Sequence, residues 1–283
     1  MIVYLNGEFV PSRDARISPE DRGFVFGDGV YEVTRAVHGQ PFEEDAHWRR
    51  LQAGLRELAI EPPLDPARIR EIYLHLLREN HLENGEATIY LQVTRGAATR
   101  AHAFPVPPAE PTVYAFATRF VIPAGPRRAG VSAITHPDMR WSRCDIKSVN
   151  LLPNVLAKQK AVEVGSWEAV LVRDGVLIEG SSSNLFGVIG GELRTYPKSN
   201  YILPGVTRQV VLDLAGELGV PVREAPIYVS EMAQLEELFL TGTATDVQAI
   251  VRLDGWTVGG GAVGPISKAL LEGLMGRMGT SFP

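Results

Sequence analysis

The sequence predicts an α+β protein of two domains: an N-terminal α/β part over 1–118, a linker over 119–129 and a larger, strand-rich part over 130–283. Three observations lead there. The chain has 283 residues, and domains average roughly 150 residues each. Apolar residues recur at both the helical and the strand period, without a βαβ rhythm. Ile122-Pro123-Ala124-Gly125-Pro126-Arg127-Arg128 is rich in breakers and marks a shift toward strands beyond it.

The composition agrees with a packed interior. Hydrophobic residues make up 45% and charged residues 22%, which excludes a disordered, collagen-like or disulfide-framework protein. The single cysteine, Cys144, excludes an internal disulfide and a Cys-rich metal site. A net charge of −5 without any block of like charges argues against nucleic acid or an anionic membrane as partner. Met1 to Glu8 lacks the basic-then-apolar pattern of a signal peptide, and no run reaches the ~20 apolar residues of a membrane span. The expectation is a cytoplasmic protein.

Taken in order, Val3-Tyr4-Leu5 and Phe9-Val10 flank Asn6-Gly7, the signal for a type I′ hairpin. A loop with Asp21-Arg22-Gly23 and Gly27-Asp28-Gly29 leads into an alternating strand, Val30 to Val37. Leu51, Leu55 and Leu58 form one helical stripe. Asp65-Pro66 opens a second helix, carrying Ile69, Ile72, Leu76 and Leu77. Ala87 to Thr94 and Thr112 to Thr118 alternate as strands. Beyond the linker, Asp174-Gly175 and Gly190-Gly191 each join two strands, and helices are expected over 154–163, 207–218 and 266–275.

Some motifs fail on context. Gly259-Gly260-Gly261-Ala262-Val263-Gly264 matches G-x-G-x-x-G, but no further βαβ unit follows and no acidic residue stands about 20 positions later, so a loop is expected. No two of the six histidines stand at helical ligand spacing, and nothing in the sequence calls for a metal.

Three segments carry chemistry. Only five of the 28 basic residues are lysines, and Lys147 sits beside Ile146, Val149, Leu151 and Leu152, on what reads as a strand ending before a helix. A desolvated lysine there is an amine nucleophile for a carbonyl; the plainer reading is an edge lysine with its stem packed and its ammonium wet. Glu179 follows two apolar strand residues and precedes Gly180 and three serines. A carboxylate so placed is suited to hold a proton on a ring nitrogen, or simply to pair with an arginine. Leu203-Pro204-Gly205-Val206-Thr207 turns into a helix whose first N–H groups and hydroxyl form an anion cup, with Thr243 after another strand as a further donor. An amine for an imine, an acid for a ring nitrogen and a cup for a phosphate are together what pyridoxal phosphate requires.

With these residues in view, the sequence resembles the fold type IV pyridoxal-phosphate aminotransferases, and within them the D-amino-acid aminotransferases. The resemblance runs through Asp21-Arg22-Gly23, Phe26 to Glu32, His47 to Leu51, Gln92 to Gly96, Arg100 to His102, Arg143 to Asn150 and Glu179 to Asn184. It implies a small α/β domain and a larger pseudo-barrel domain that binds the cofactor. It also implies that Lys147 forms the Schiff base, that Glu179 pairs with the pyridine nitrogen, and that Arg50, Val206, Thr207, Gly242 and Thr243 hold the phosphate while Leu203 packs on the ring. Tyr31, Val33, Ser182, Ser183 and Ala244 would line the substrate. Arg100 and His102, an Arg-x-His element, would bind the substrate α-carboxylate from across a homodimer interface; the planar guanidinium fork suits a carboxylate. Gly242 and Ala244 stand where the resembled enzymes tend to carry hydroxyl residues, which bears on substrate preference and cofactor affinity. The implied reaction is ping-pong exchange of an amino group between D-amino acids and 2-oxo acids. A branched-chain aminotransferase and an aminodeoxychorismate-type lyase share the fold and are the alternatives.

Overall fold

A computed structural model describes Met1–Thr280. Two compact units emerge: Met1–Val121 together with Ile146–Leu151, and Ile122–Asp145 together with the chain from Leu152 onward.

The first unit is a sheet covered by helices. Strands β1 (Ile2–Leu5), β2 (Glu8–Pro11), β3 (Gly29–Val37), β4 (Gln40–Pro41), β5 (Glu86–Thr94) and β6 (Thr112–Arg119) pair in the order β2-β1-β6-β5-β3-β4. Every pairing is antiparallel. The β1–β2 hairpin turns at Asn6 and Gly7 with φ of 48° and 101°, the positive values these two residue types tolerate best. Three helices join the sheet: α1 (Arg22–Phe26), α2 (Glu44–Glu57) and α3 (Pro66–Glu79). Leu51 and Leu55 of α2 and Ile69, Ile72, Leu76 and Leu77 of α3 pack with Ile89, Leu91 and Val93 in one core. Asp65 caps α3, its carboxylate accepting from the Arg68 N–H, so the Asp-Pro start behaves as its chemistry dictates.

Helix α1 lies where the sequence predicts a loop, because its five residues carry no apolar period. Asp21 caps it through the Gly23 N–H, and Gly27 ends it at φ 70°.

In the second unit the strands close on themselves. After α4 (Ala124–Ala129) come β7 (Val131–Pro137), α5 (Leu152–Glu163), β8 (Glu168–Arg173), β9 (Val176–Gly180), β10 (Asn184–Ile189), β11 (Glu192–Thr195) and α6 (Val206–Glu217). They are followed by β12 (Val222–Glu224), β13 (Ile227–Tyr228), a 3-10 turn, β14 (Glu237–Gly242), β15 (Asp246–Leu253), β16 (Trp256–Thr257) and α7 (Pro265–Met278). The sheet order runs β12-β11-β10-β14-β15-β7-β8-β9-β13, and an additional β9–β10 pairing at Glu179 and Asn184 closes β10, β14, β15, β7, β8 and β9 into a ring. Val170, Leu177, Leu185, Leu240 and Ile250 fill its core. A strand-rich barrel is thus the form the second half takes.

One local expectation gains detail and one is corrected. The breaker-rich stretch contains α4, whose Arg127 is buried in an ion pair with Asp246. The residues around Lys147 are not a strand. A single bridge, Val30 to Ser148, is flanked by two bonds to β3, from the Tyr31 N–H to the Lys147 carbonyl and from the Val149 N–H to the Gly29 carbonyl. These contacts account for the place of Ile146–Leu151 in the first unit, apart from its sequence neighbours in 130–283. Two strands without a clear sequence signal, β7 and β15, pair in parallel within the ring. No helix among the described residues is long and apolar enough to cross a membrane.

Candidate active site

Lys147 lies in the first unit. Lys147 is half-buried, its Nζ 4.2 Å from the centroid of the Tyr31 ring. Tyr31 stacks on Tyr90 at 5.5 Å and Tyr90 on Phe116 at 5.1 Å, an aromatic row that fixes the ring facing the amine. Strand alternation puts Tyr31 and Val33 on one face of β3 and Glu32 on the other. On that second face His47 and Arg50, three apart on α2 and so on one helical side, both reach Glu32. Arg50 donates from Nε to Oε1 at 2.7 Å and from Nη2 to Oε2 at 2.8 Å, and His47 Nδ1 lies 2.8 Å from Oε2. Burial alone would raise the Glu32 carboxyl, but Arg50 and His47 hold it well below the usual range. Burial lowers the His47 value, so at neutral pH its ring is uncharged and donates its Nδ1–H to the carboxylate.

Arg100 and His102 are exposed on the segment after β5, both beside Phe26: the Arg100 guanidinium carbon is 5.2 Å and the His102 ring 5.6 Å from the Phe26 centroid.

Glu179 and the start of α6 lie in the second unit. Glu179 is the penultimate residue of β9, where the β9–β10 register sets it opposite Asn184. Asn184 Nδ2 donates to Glu179 Oε2 at 2.9 Å and to the Leu203 carbonyl at 2.8 Å, and the Leu203 N–H donates to the same Oε2 at 3.2 Å. Arg140 ion-pairs with the other oxygen. That guanidinium is already committed: it donates to Asp138 at 2.8 Å and 2.9 Å, and Arg173 donates to Asp138 as well. Burial therefore pushes the Glu179 carboxyl up to about 7 even though Arg140 pulls it down.

Helix α6 opens at Gly205 with no side-chain cap, leaving the first-turn N–H groups at Val206 and Thr207 as donors. A Cβ at Gly205 would stand 2.1 Å from Asn184 Oδ1, so this turn requires glycine. Leu203 lies half-buried just before the turn. Gly242 closes β14, and Thr243 and Ala244 follow in a tight turn, the Thr245 N–H bonded to the Gly242 carbonyl at 3.0 Å. Ser182 is exposed, while the buried hydroxyls of Ser183 and Thr241 make no hydrogen bond. Unsatisfied buried hydroxyls, and separately a helix N-terminus without a side-chain cap, are each features that suit an anionic ligand. These features fit the phosphate and ring nitrogen of pyridoxal phosphate.

Several of these pairings are invisible in the sequence. Glu32, Asp138 and Arg140 read there as ordinary charges; most of their partners are distant along the chain, and only burial reveals the pairing.

Residues 29–253 match the model of the amino-transferase class IV family, and the chain belongs to that family. Among its relatives is the D-alanine aminotransferase of Staphylococcus epidermidis, 41% identical over 272 residues, 96% of each chain. The Bacillus licheniformis D-alanine aminotransferase is 40% identical, covering 97% of this chain and 96% of that one. Similar solved structures include the Escherichia coli branched-chain amino acid aminotransferase, with TM-score 0.89 and 25% identity, covering 97% of this chain and 93% of that one. The T.th. branched-chain enzyme with pyridoxamine 5'-phosphate has TM-score 0.89 and 28% identity, covering 98% and 94%.

Proposed function

We propose that the protein exchanges amino groups between D-amino acids and 2-oxo acids, D-alanine and 2-oxoglutarate among them, with pyridoxal 5'-phosphate as cofactor. The fold is common to both kinds of relative, so sequence likeness separates them: 41% identity to a D-alanine enzyme against 25% and 28% to branched-chain enzymes. The observation that carries the chemistry is Glu179. It is a buried acid whose arginine is already matched by Asp138, so it has room for one further cation, such as a protonated ring nitrogen.

Bound pyridoxal phosphate supplies an electrophilic carbon for the amine and a ring that takes up electrons. Lys147 Nζ is assigned as the amine that holds the cofactor and then carries a proton from the substrate Cα. Glu179 keeps the ring nitrogen protonated. The α6 N–H groups, Thr207, Thr243 and Arg50 are assigned to the phosphate, with Gly242 giving backbone access and Leu203 packing on the ring. Tyr31, Val33, Ser182, Ser183 and Ala244 are assigned to the substrate, and Arg100 with His102 to its carboxylate.

A second copy of the chain is the proposed partner. Helix α5 leaves Leu152, Val155, Leu156 and Val162 each more than half exposed, an apolar face suited to self-association, and Arg100 with His102 would then serve the neighbouring copy.

Stopped-flow absorbance of the holoenzyme tests the reading. Rapid bleaching of the cofactor band with D-alanine, with pyruvate formed, is expected; bleaching with L-leucine alone would move the protein to the branched-chain class. Lys147→Ala should abolish turnover, and normal turnover would remove Lys147 from its role.

A further inference from the structure

The segment carrying Arg100 and His102 lies outside any helix or strand, and its side chains from Arg100 to Phe104 are exposed. A guanidinium–carboxylate contact gains from geometry only if the donor is already in place, and such a segment has no ladder to place it. What it has is Arg22. This side chain, 4% exposed at the first turn of α1, reaches three successive carbonyls. Nη1 donates to Ala101 O at 2.6 Å and Ala103 O at 3.3 Å, and Nη2 approaches His102 O at 3.5 Å.

Arg22 is itself held. Its Nε donates to Asp28 Oδ2 at 2.8 Å, the oxygen that Arg95 Nε also grips at 2.8 Å. Arg95 in turn is tied to the end of α2 through the Leu58 and Ala59 carbonyls, and its guanidinium lies 3.6 Å from the Phe104 centroid. Phe26 completes the arrangement, with the guanidinium carbons of Arg22 at 4.7 Å and Arg100 at 5.2 Å from its ring centre. Two buried cations share one carboxylate, and the spare donors of Arg22 are spent on the loop. A lysine, with no planar fork, would not span these carbonyls.

We propose that Arg22 is a positioning residue for the substrate carboxylate: it pins the 101–103 carbonyls so that Arg100 and His102 are presented in a fixed orientation. The inference rests on the carboxylate role assigned to Arg100 above. It predicts an effect on substrate binding rather than on the chemical step, because Arg22 meets the loop backbone and not the reacting atoms.

The test is Arg22→Gln in the holoenzyme, alone and combined with Arg100→Ala. Arg22→Gln should raise KM for D-alanine about tenfold while kcat stays within about threefold, and it should add nothing in the Arg100→Ala background. It should also speed trypsin cleavage after Arg100 by about tenfold, because cleavage requires the loop to leave its pinned form. If Arg100→Ala raises KM and Arg22→Gln does not, the proposal is overturned. Equal KM increases from Arg22→Gln with and without Arg100 overturn it too. If Arg100→Ala leaves KM unchanged, the carboxylate assignment itself has failed; faster trypsin cleavage of Arg22→Gln then still supports the pinning, and an unchanged rate ends it. Should Arg22→Gln prove insoluble, the half-buried Phe26→Leu carries the same comparison: a KM rise of about threefold supports the arrangement, and no rise overturns it.

Discussion

Glu32 in the first unit and Glu179 in the second are both buried and both paired with an arginine, yet their carboxyls are driven in opposite directions. Desolvation penalises the charge of each. Glu32 receives the Arg50 fork on both oxygens and an N–H from His47, and the penalty is overcome. Glu179 has a share of Arg140, the rest of which serves Asp138, and Asp138 adds its own negative charge nearby. An arginine beside a buried acid therefore says little until the arginine's other partners are counted. Glu32 is saturated and structural; Glu179 is short of one cation and so is fitted to receive one.

Neutral substitutions break the comparison most sharply. Glu179→Gln should lower kcat of the holoenzyme by about 10³-fold, the scale for losing one buried electrostatic stabiliser. Its unfolding free energy at neutral pH should change by no more than about 1 kcal/mol, since Arg140 keeps Asp138. Glu32→Gln should do the reverse to stability: it removes the carboxylate that both Arg50 and His47 meet and lowers the unfolding free energy by about 3 kcal/mol in denaturant titrations. If both variants lose stability equally, the two sites are not different in kind.

The pH dependence sharpens the same contrast. The folded Glu179 carboxyl titrates at about 7 against a reference of 4.5, so folding favours its protonated form. Its contribution is full below about pH 4.5 and is lost as pH rises through about 7. Glu32 is held below 4.5, so its contribution is present above that value and disappears as pH falls. Cofactor-stripped protein should lose about 2 kcal/mol between about pH 5 and 8 from the Glu179 source, and Glu179→Gln should flatten that limb while leaving the acid limb intact. The smallest effect belongs to Arg140→Gln. Removing the shared cation should move the basic limb of the stability profile upward by about one pH unit, with Glu179 still held by Asn184 and Leu203.

Much of this is legible in the chain before folding. The Asn6-Gly7 turn, the Asp65-Pro66 start and the alternation of β3 are local signals, settled by φ angles, capping and side-chain period. Lys147, Glu179 and the Gly205-Val206-Thr207 cup are visible because each is a reactive or turn-forming residue in a distinctive neighbourhood. The residues around Lys147 read as a strand because their apolar pattern does not say that only one bridge to β3 will form. The stretch that becomes α4 reads as linker because breakers dominate it, and its Arg127–Asp246 pair joins positions far apart in sequence.

The sequence by itself determined the mixed fold class and singled out Lys147, Glu179 and the Gly205 turn as candidates, because these rest on residue chemistry and short-range geometry. Only the tertiary structure decided which charges are satisfied. Arg50 meets Glu32, Arg140 divides itself between Asp138 and Glu179, and Arg22 meets the carbonyls of residues about eighty positions later. Burial and the count of partners set the energy of a charge, and both exist only once distant segments are brought together.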